Sequence, residues 1–357
     1  MALFILAGQK GCAPELSVKN SGEITAVGIG TAGAKIVSLL SRKSLLVSRY
    51  VYVSCDEGDF STVGEKDTVL IESPVDQKLT PSIVRGFALG SRAKIAEALG
   101  GSSVVLIVAG LGGATGSGLA PLVASLSQEL GATTVGVAVM PFGFEKKLKF
   151  YAGVALRRLR AVSNGVIVID NDTLMRSSPE DSTLPNLCDS ANKAAVKALG
   201  SLLSRAAEGA APVGLNKLLG TVLQDGYALL GVSENAGPDR AEDALAGAVV
   251  SLSNLAKAKE ANRAIVSLDG DPTLSAREVG FAVERLGSLM DNQDVEVEYG
   301  VDYRGAAQLQ VSLLASGFRS TKYDEYDPLS QVLGDRVLDD EIDICIPEGL
   351  EGLQPCD

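Results

Sequence analysis

The chain has 357 residues, 46% of them hydrophobic, which is enough for two domains with packed cores and excludes a disordered tail or a disulfide-stapled miniprotein. It contains no histidine and no tryptophan, so triads with a histidine base and zinc sites with histidine ligands are excluded. A formal charge of -12 without an arginine-rich cluster argues against nucleic acid as a partner, and five scattered cysteines with no CxxC pair fit reduced thiols in a cytosol.

The apolar start Ala2 to Ala7 follows no basic residue and is too short for a signal core or a membrane span. Residues 1–23 therefore read as an N-terminal extension of a cytoplasmic protein without a transmembrane segment, either loosely packed or a weak membrane or partner anchor. From Ile24 onward, Val- and Ile-rich runs predict strands near 24–29, 50–54, 67–71, 103–109, 133–140 and 165–170. Segments of helical period lie between them, at about 33–47, 80–98, 116–130 and 145–162. This alternation is that of a parallel sheet wrapped by helices. Leu187 to Glu208 is Ala/Leu-rich with helical spacing and predicts one long buried helix able to join two domains. Further strands near 227–233, 263–268, 294–300 and 307–316 alternate with helices near 240–257 and 274–290. The expected fold is α/β: a parallel-sheet nucleotide-binding domain over 24–212, including the long central helix, joined to a smaller mixed-sheet domain over 213–317.

Residues 318–357 read as a solvated, mobile acidic tail. Eleven acids from Asp324 to Asp357 face only Arg319, Lys322 and Arg336. Within it Ile342-Asp-Ile-Cys-Ile-Pro347 is an apolar island, suited either to a partner's groove or to the edge of the protein's own sheet.

Two glycine loops carry the chemistry. Gly28-Ile-Gly-Thr-Ala-Gly33 lies between a predicted strand and a helix, so its N–H groups and the helix N-terminus face an anion. Alone it fits a dinucleotide fold equally well, with Asp56 on a ribose hydroxyl and a dehydrogenase as the outcome. The second loop, Ala109-Gly-Leu-Gly-Gly-Ala-Thr-Gly-Ser-Gly118, places five glycines within nine residues, again between an apolar strand and a helix. So many glycines cost backbone entropy, which points to a main chain wrapped closely around a ligand. Thr115 and Ser117 add hydroxyls for phosphate oxygens or for a phosphate-bound Mg2+. No Gly-Lys-Ser/Thr ends the loop, so it is not a Walker loop.

Gly112-Gly-Ala-Thr-Gly-Ser-Gly118, followed by Leu-Ala-Pro121, is similar to the phosphate-loop signature of the tubulin/FtsZ superfamily, with Ala114 in place of one glycine. The first loop, through Lys35 and Ile36, most resembles the archaeal CetZ form. Pro141-Phe-Gly-Phe-Glu145 resembles the segment whose glutamate contacts the ribose, and Lys149 falls where a nucleotide-facing arginine is usual. Asn171, in Asp-Asn-Asp-Thr-Leu174, and Asn192, in Asp-Ser-Ala-Asn-Lys193, fall where the family reads the guanine edge; an amide supplies both donor and acceptor for that task. Tyr227-Ala-Leu-Leu-Gly231 and Gly237-Pro-Asp-Arg-Ala-Glu-Asp-Ala244 resemble the start of the family's second domain, and the likeness spans about residues 24–316. It implies GTP or GDP as ligand, bound through Gly30, Thr31, Ala32, Gly33, Lys35, Gly112, Gly113, Ala114, Thr115, Gly116, Ser117, Glu145, Lys149, Asn171 and Asn192. It also implies head-to-tail self-association into filaments for cell division or cell shape.

The chain departs from the family at three places. Between Asn192 and Tyr227 the 34 intervening residues match FtsZ without a gap, yet the two expected catalytic carboxylates become Gly214 and Lys217. An ammonium cannot take a proton from water while it stays charged, so hydrolysis is expected to be slow or absent. Lys217 is read either as a stabiliser of the neighbouring subunit's terminal phosphate or as a solvated lysine, and Glu208 or Asp225 as replacement acids. Ser73 to Thr80 lacks the glycines usual for a terminal-phosphate loop, and Cys188 stands where an aromatic usually stacks on the base. The alternative reading is a non-polymerising guanine-nucleotide-binding regulator of a more typical FtsZ or CetZ paralogue. A tail-binding protein is a further candidate partner.

Overall fold

The computed structural model describes residues 23–61, 63, 67–73, 79–175, 183–205, 210–303 and 308–324. In chain order these form β1 (Glu23–Ile29), α1 (Gly30–Leu40), β2 (Arg49–Ser54), β3 (Thr68–Leu70), α2 (Pro81–Gly90), α3 (Arg92–Leu99), β4 (Ser102–Gly110), α4 (Ala114–Glu129), β5 (Thr133–Met140), α5 (Lys146–Ala161) and β6 (Gly165–Asp170). There follow α6 (Asn171–Leu174), α7 (Leu184–Leu202), α8 (Leu215–Val222), β7 (Tyr227–Asn235), α9 (Arg240–Ser253), β8 (Arg263–Asp269), α10 (Ala276–Leu289), β9 (Glu296–Asp302) and β10 (Leu309–Phe318).

All ten strands belong to one sheet, ordered β3-β2-β1-β4-β5-β6-β7-β10-β8-β9. The strands from β3 to β6 are parallel to their neighbours. In the other half β10 runs antiparallel to β7 and β8, and β9 runs parallel to β8. The halves meet where β6 pairs with β7 through only Ile167 to Ala228 and Val168 to Leu229. The fold is therefore α/β, with a large parallel sheet continued by a mixed one.

Helices cover both faces, which is why β4 reads as an unbroken apolar run instead of an alternating one. Its Val105 and Ile107 enter the core beneath α2, α3, α4 and α5, while Val104, Leu106 and Val108 enter the core beneath α1, α7 and α8. The stripe of α7 that faces this second core comprises Ala191, Ala195, Val196, Ala198, Leu199 and Leu202. Trimming Leu199 to alanine there would cost about 2–5 kcal/mol. No helix among the described residues is long and apolar enough to cross a membrane.

Several element limits differ from the sequence expectation. α1 stops at Leu40, because Leu45 bridges Ser204 and the Leu46 N–H donates to the Leu203 carbonyl, so the apolar residues beyond the helix dock on the end of α7. The helix expected over 80–98 is broken at Ser91, after Gly90. α7 runs from Leu184 to Leu202, short of the predicted end, and Glu208 lies outside the described residues. α6 and α8 were not anticipated. The expected tail does not begin at 318: residues 319–324 are described, and Thr321 and Tyr323 are buried. Most of the N-terminal extension (residues 1–22), residues 74–78 of the expected terminal-phosphate loop, and the tail from 325, with its apolar island, lie outside the described residues.

Candidate functional site

The strand order 3-2-1-4-5-6 reverses direction between β1 and β4, so successive crossovers leave on opposite faces and open a crevice at the carboxyl ends of those two strands. Both glycine loops sit there, one at the end of β1 and one at the end of β4. α1 starts directly after β1 and α4 directly after Gly113; neither helix has a side-chain cap or an acid in its first turn. Each thus presents unsatisfied N–H groups and the positive end of its dipole to the crevice. The two ends touch: a β-carbon on Gly30 would lie 3.3 Å from the Thr115 Cβ, and one on Gly110 2.9 Å from the Ala32 Cβ. Gly30, Thr31, Ala32 and Gly33 are therefore brought together with the run from Gly112 to Ser117.

Within this cradle the glycines divide by role. A β-carbon on Gly33 would fall 2.2 Å from the Val108 carbonyl oxygen, and one on Gly116 2.1 Å from that of Gly110. Those two positions are glycine so that loop and strand backbones can pack. Gly113 is different: it is exposed, and a β-carbon there would meet nothing within 4 Å. Glycine density, taken from the sequence as the mark of a ligand, thus reflects backbone packing as much as an open mouth. Ser117 is buried and its Oγ accepts the Gly112 N–H at 2.8 Å, closing the loop, while Thr115 stands half-buried at the mouth.

Beside the mouth, α1, the 141–145 turn and the first half of α7 converge. Lys35 on α1 lies 3.7 Å from the Asp189 carboxylate on α7. Next to Asp189, burial pushes the Cys188 thiol up, with the Glu145 carboxylate adding to the shift and Lys35 opposing it. The Glu145 carboxylate accepts the Phe142 N–H at 2.9 Å, so it closes its own turn as well as facing α7. Lys149 is half-buried in the first turn of α5. Asn192 is buried on α7. Asn171 opens α6, and its Oδ1 is buried with no hydrogen-bond partner among the described residues. That orphaned acceptor is the observation by which a base fits here: it lacks a donor that a ligand would bring.

Three residues of this region were missed from the sequence. Asp172 accepts the Gly143 N–H at 2.7 Å and ties the 141–145 turn to α6. Asp170, ending β6, is almost wholly buried. Cys55, at the end of β2, has its thiol pushed up by burial and shares a hydrogen bond with Thr115. The only signal in the sequence was that Asp170 closes the apolar run Gly165 to Ile169. Asp56, which a dinucleotide fold would place on a ribose, instead accepts the Gly58 N–H and caps the helical turn Glu57–Phe60.

Gly214 and Lys217 are far from this crevice. α8 leads into the start of β7, which is parallel to β6, so α8 approaches the sheet at the end of the strands opposite the glycine loops. Gly214 has φ of 76° and caps α8, and the Lys217 ammonium is 2.7 Å from the Glu298 carboxylate on β9. Asp225 is exposed in the turn between α8 and β7.

Residues 23–179 match the model of the Tubulin/FtsZ family, GTPase domain. The cell division protein FtsZ of Pseudomonas putida is 28% identical over 313 residues, 84% of this chain and 78% of that protein. An FtsZ dimer from M. jannaschii superposes with a TM-score of 0.72 at 24% identity, covering 84% of this chain and 89% of its own. CetZ2 from Haloferax volcanii, solved as a GTPγS-bound protofilament, gives a TM-score of 0.67 at 22% identity over 85% of this chain and 95% of its own.

Proposed function

Because the chain belongs to the tubulin/FtsZ superfamily, we propose that it is a guanine-nucleotide-binding cytoskeletal subunit that assembles head to tail and hydrolyses GTP slowly or not at all. The observation that carries the nucleotide reading is the meeting of two uncapped helix N-termini across Gly30 and Thr115, with Gly113 open at the mouth. Such a cradle suits a di- or triphosphate, whose oxygens would take the N–H groups of the first turns and the Thr115 hydroxyl. Mg2+ would ride on the phosphates.

Guanine is favoured by the Asn171 Oδ1. An acceptor lacking a partner suits guanine, whose N1–H and exocyclic amine are two adjacent donors, better than adenine, whose single amine donor sits beside an N1 that only accepts. Lys35, Glu145, Lys149 and Asn192 would flank the nucleoside.

The opposite placement of α8 and the glycine loops supports assembly: residues at Gly214 and Lys217 would meet a nucleotide only on the next subunit of a stack. Such a contact is heterologous and propagates as an open filament. The protofilament form of CetZ2 is in keeping with this. At that contact the chain offers no side chain from Gly214 and an ammonium already engaged by Glu298, so nothing in the expected place would draw a proton from an attacking water. A role in cell division or cell shape follows from the same reading. We place the division between the two units near residue 212, between α7 and α8, and extend the second unit to Asp324.

Electron microscopy and phosphate release with GTP test the proposal. Filaments with little phosphate released are expected. Rapid release that scales with assembly would refute the lost active site, and monomers that only alter a paralogue's filaments would favour the regulator.

A further inference from the structure

We propose that the strap following β10, residues 321–324, positions the base-recognition turn at Asn171 and so sets the preference for guanine; this rests on the nucleotide reading above. The starting point is Asp170, whose side chain is 1% exposed at the end of β6. A buried carboxylate is tolerated only when donors surround it. Two come from its own turn, the Thr173 hydroxyl at 3.1 Å and the Asp172 N–H at 3.3 Å. The other two come from far along the chain: the Lys322 ammonium at 2.8 Å and the Tyr323 hydroxyl at 2.6 Å.

The strap is itself held firmly. The Lys322 N–H donates to the Leu255 carbonyl at 2.9 Å, the Asp324 carboxylate accepts the Thr321 hydroxyl at 3.1 Å, and the Tyr323 ring is buried. On the other side of Asp170 stand the residues that matter for a base. Asn171 is the next residue, and Asp172 takes the Gly143 N–H in the turn that ends at Glu145. α6 is a single turn, too short to hold a geometry by its own hydrogen bonds. Its position is set from outside, and the strap supplies half of the donors that fix Asp170.

The residue type makes the role specific. Asp170 is not one of the residues the resemblance assigns to the nucleotide, and no residue of the strap reaches the crevice directly through a contact described above. Lys322 and Tyr323 are thus positioning residues that act through Asp170, and the quantity they set is the placement of the Asn171 Oδ1 against the exocyclic amine of guanine.

The test uses the full chain and titrates GDP and IDP, which lacks that amine, by calorimetry alongside thermal unfolding. Tyr323→Phe keeps the buried ring and removes one hydroxyl; Lys322→Met removes the ammonium, and Lys322→Arg restores a charge. The expected result is GDP affinity about tenfold weaker in Tyr323→Phe and in Lys322→Met, IDP affinity nearly unchanged, and recovery in Lys322→Arg. Should Lys322→Met not fold, Tyr323→Phe decides. A lowered melting temperature with the wild-type ratio of GDP to IDP affinity would overturn the inference by reducing the strap to a structural clasp. A wild-type protein that binds neither nucleotide would overturn the nucleotide reading, and this inference with it.

Discussion

Replacing Gly113 by alanine separates the ligand mouth from the packing glycines around it. Gly113 has φ of -76° and ψ of 157°, a conformation open to any residue, and a β-carbon there meets no protein atom within 4 Å. As the capping residue of α4, alanine is worse than glycine by up to about 1 kcal/mol. The restricted unfolded chain returns about 0.4–1 kcal/mol, so the net effect on folding is near zero. The added methyl nevertheless stands over the N–H groups of the first turn. Displacing a phosphate from one such charge-assisted hydrogen bond costs about 1.5–3 kcal/mol, or roughly 10- to 150-fold in affinity. Titrating GDP into the variant and the parent, with urea unfolding without added nucleotide as control, reads both quantities. Unchanged affinity in the variant would show that no phosphate passes over this helix end, and the cradle argument would fail.

The same ledger inverts at Gly116, where a β-carbon would lie 2.1 Å from a backbone oxygen; Gly116→Ala is expected to destabilise the fold by about 3 kcal/mol in urea unfolding. Lys217→Ala breaks an exposed ion pair with Glu298, so stability should move by no more than about 0.5 kcal/mol and slow phosphate release should stay slow. Glu278 is held below the usual carboxylate range chiefly by the hydrogen bond with the Ser275 backbone in a capping box, helped by the Ser275 hydroxyl and Arg240. A depressed folded pKa gives stability that is present above the unfolded value of about 4.3 and lost as pH falls through the folded one. Replacing Glu278 by glutamine should therefore lower the melting temperature at neutral pH and flatten its fall in acid, and an acid limb identical to wild type would count against the capping box.

Strand and helix positions were legible where the physical constraint is local. The Val- and Ile-rich stretches of β1, β4, β5 and β6 are buried, and the two glycine loops lie between a strand and a helix as their sequence requires. What was not legible depends on partners distant in sequence. Leu45 and Val47 look like a continued helix until α7 is there to receive them, and the eight residues of α8 are too few for periodicity to outweigh Gly214 and Gly220. The two glycine loops do meet at one crevice, but the sequence could not say that Gly33 and Gly116 serve backbone packing while Gly113 stands open. Asp170 was passed over because its meaning lies in Lys322 and Tyr323, 152 and 153 residues away. Those two residues were themselves read as part of a tail on the strength of the acids that follow them.

The central claim is that the crevice between β1 and β4 holds a guanine nucleotide. Denaturing the purified protein and chromatographing what it releases, then titrating the stripped protein with GDP and ADP, tests it most directly. The account predicts released guanine nucleotide, or tight rebinding of GDP with little affinity for ADP. Release of an adenine dinucleotide, or no binding of GDP by folded protein, would contradict it.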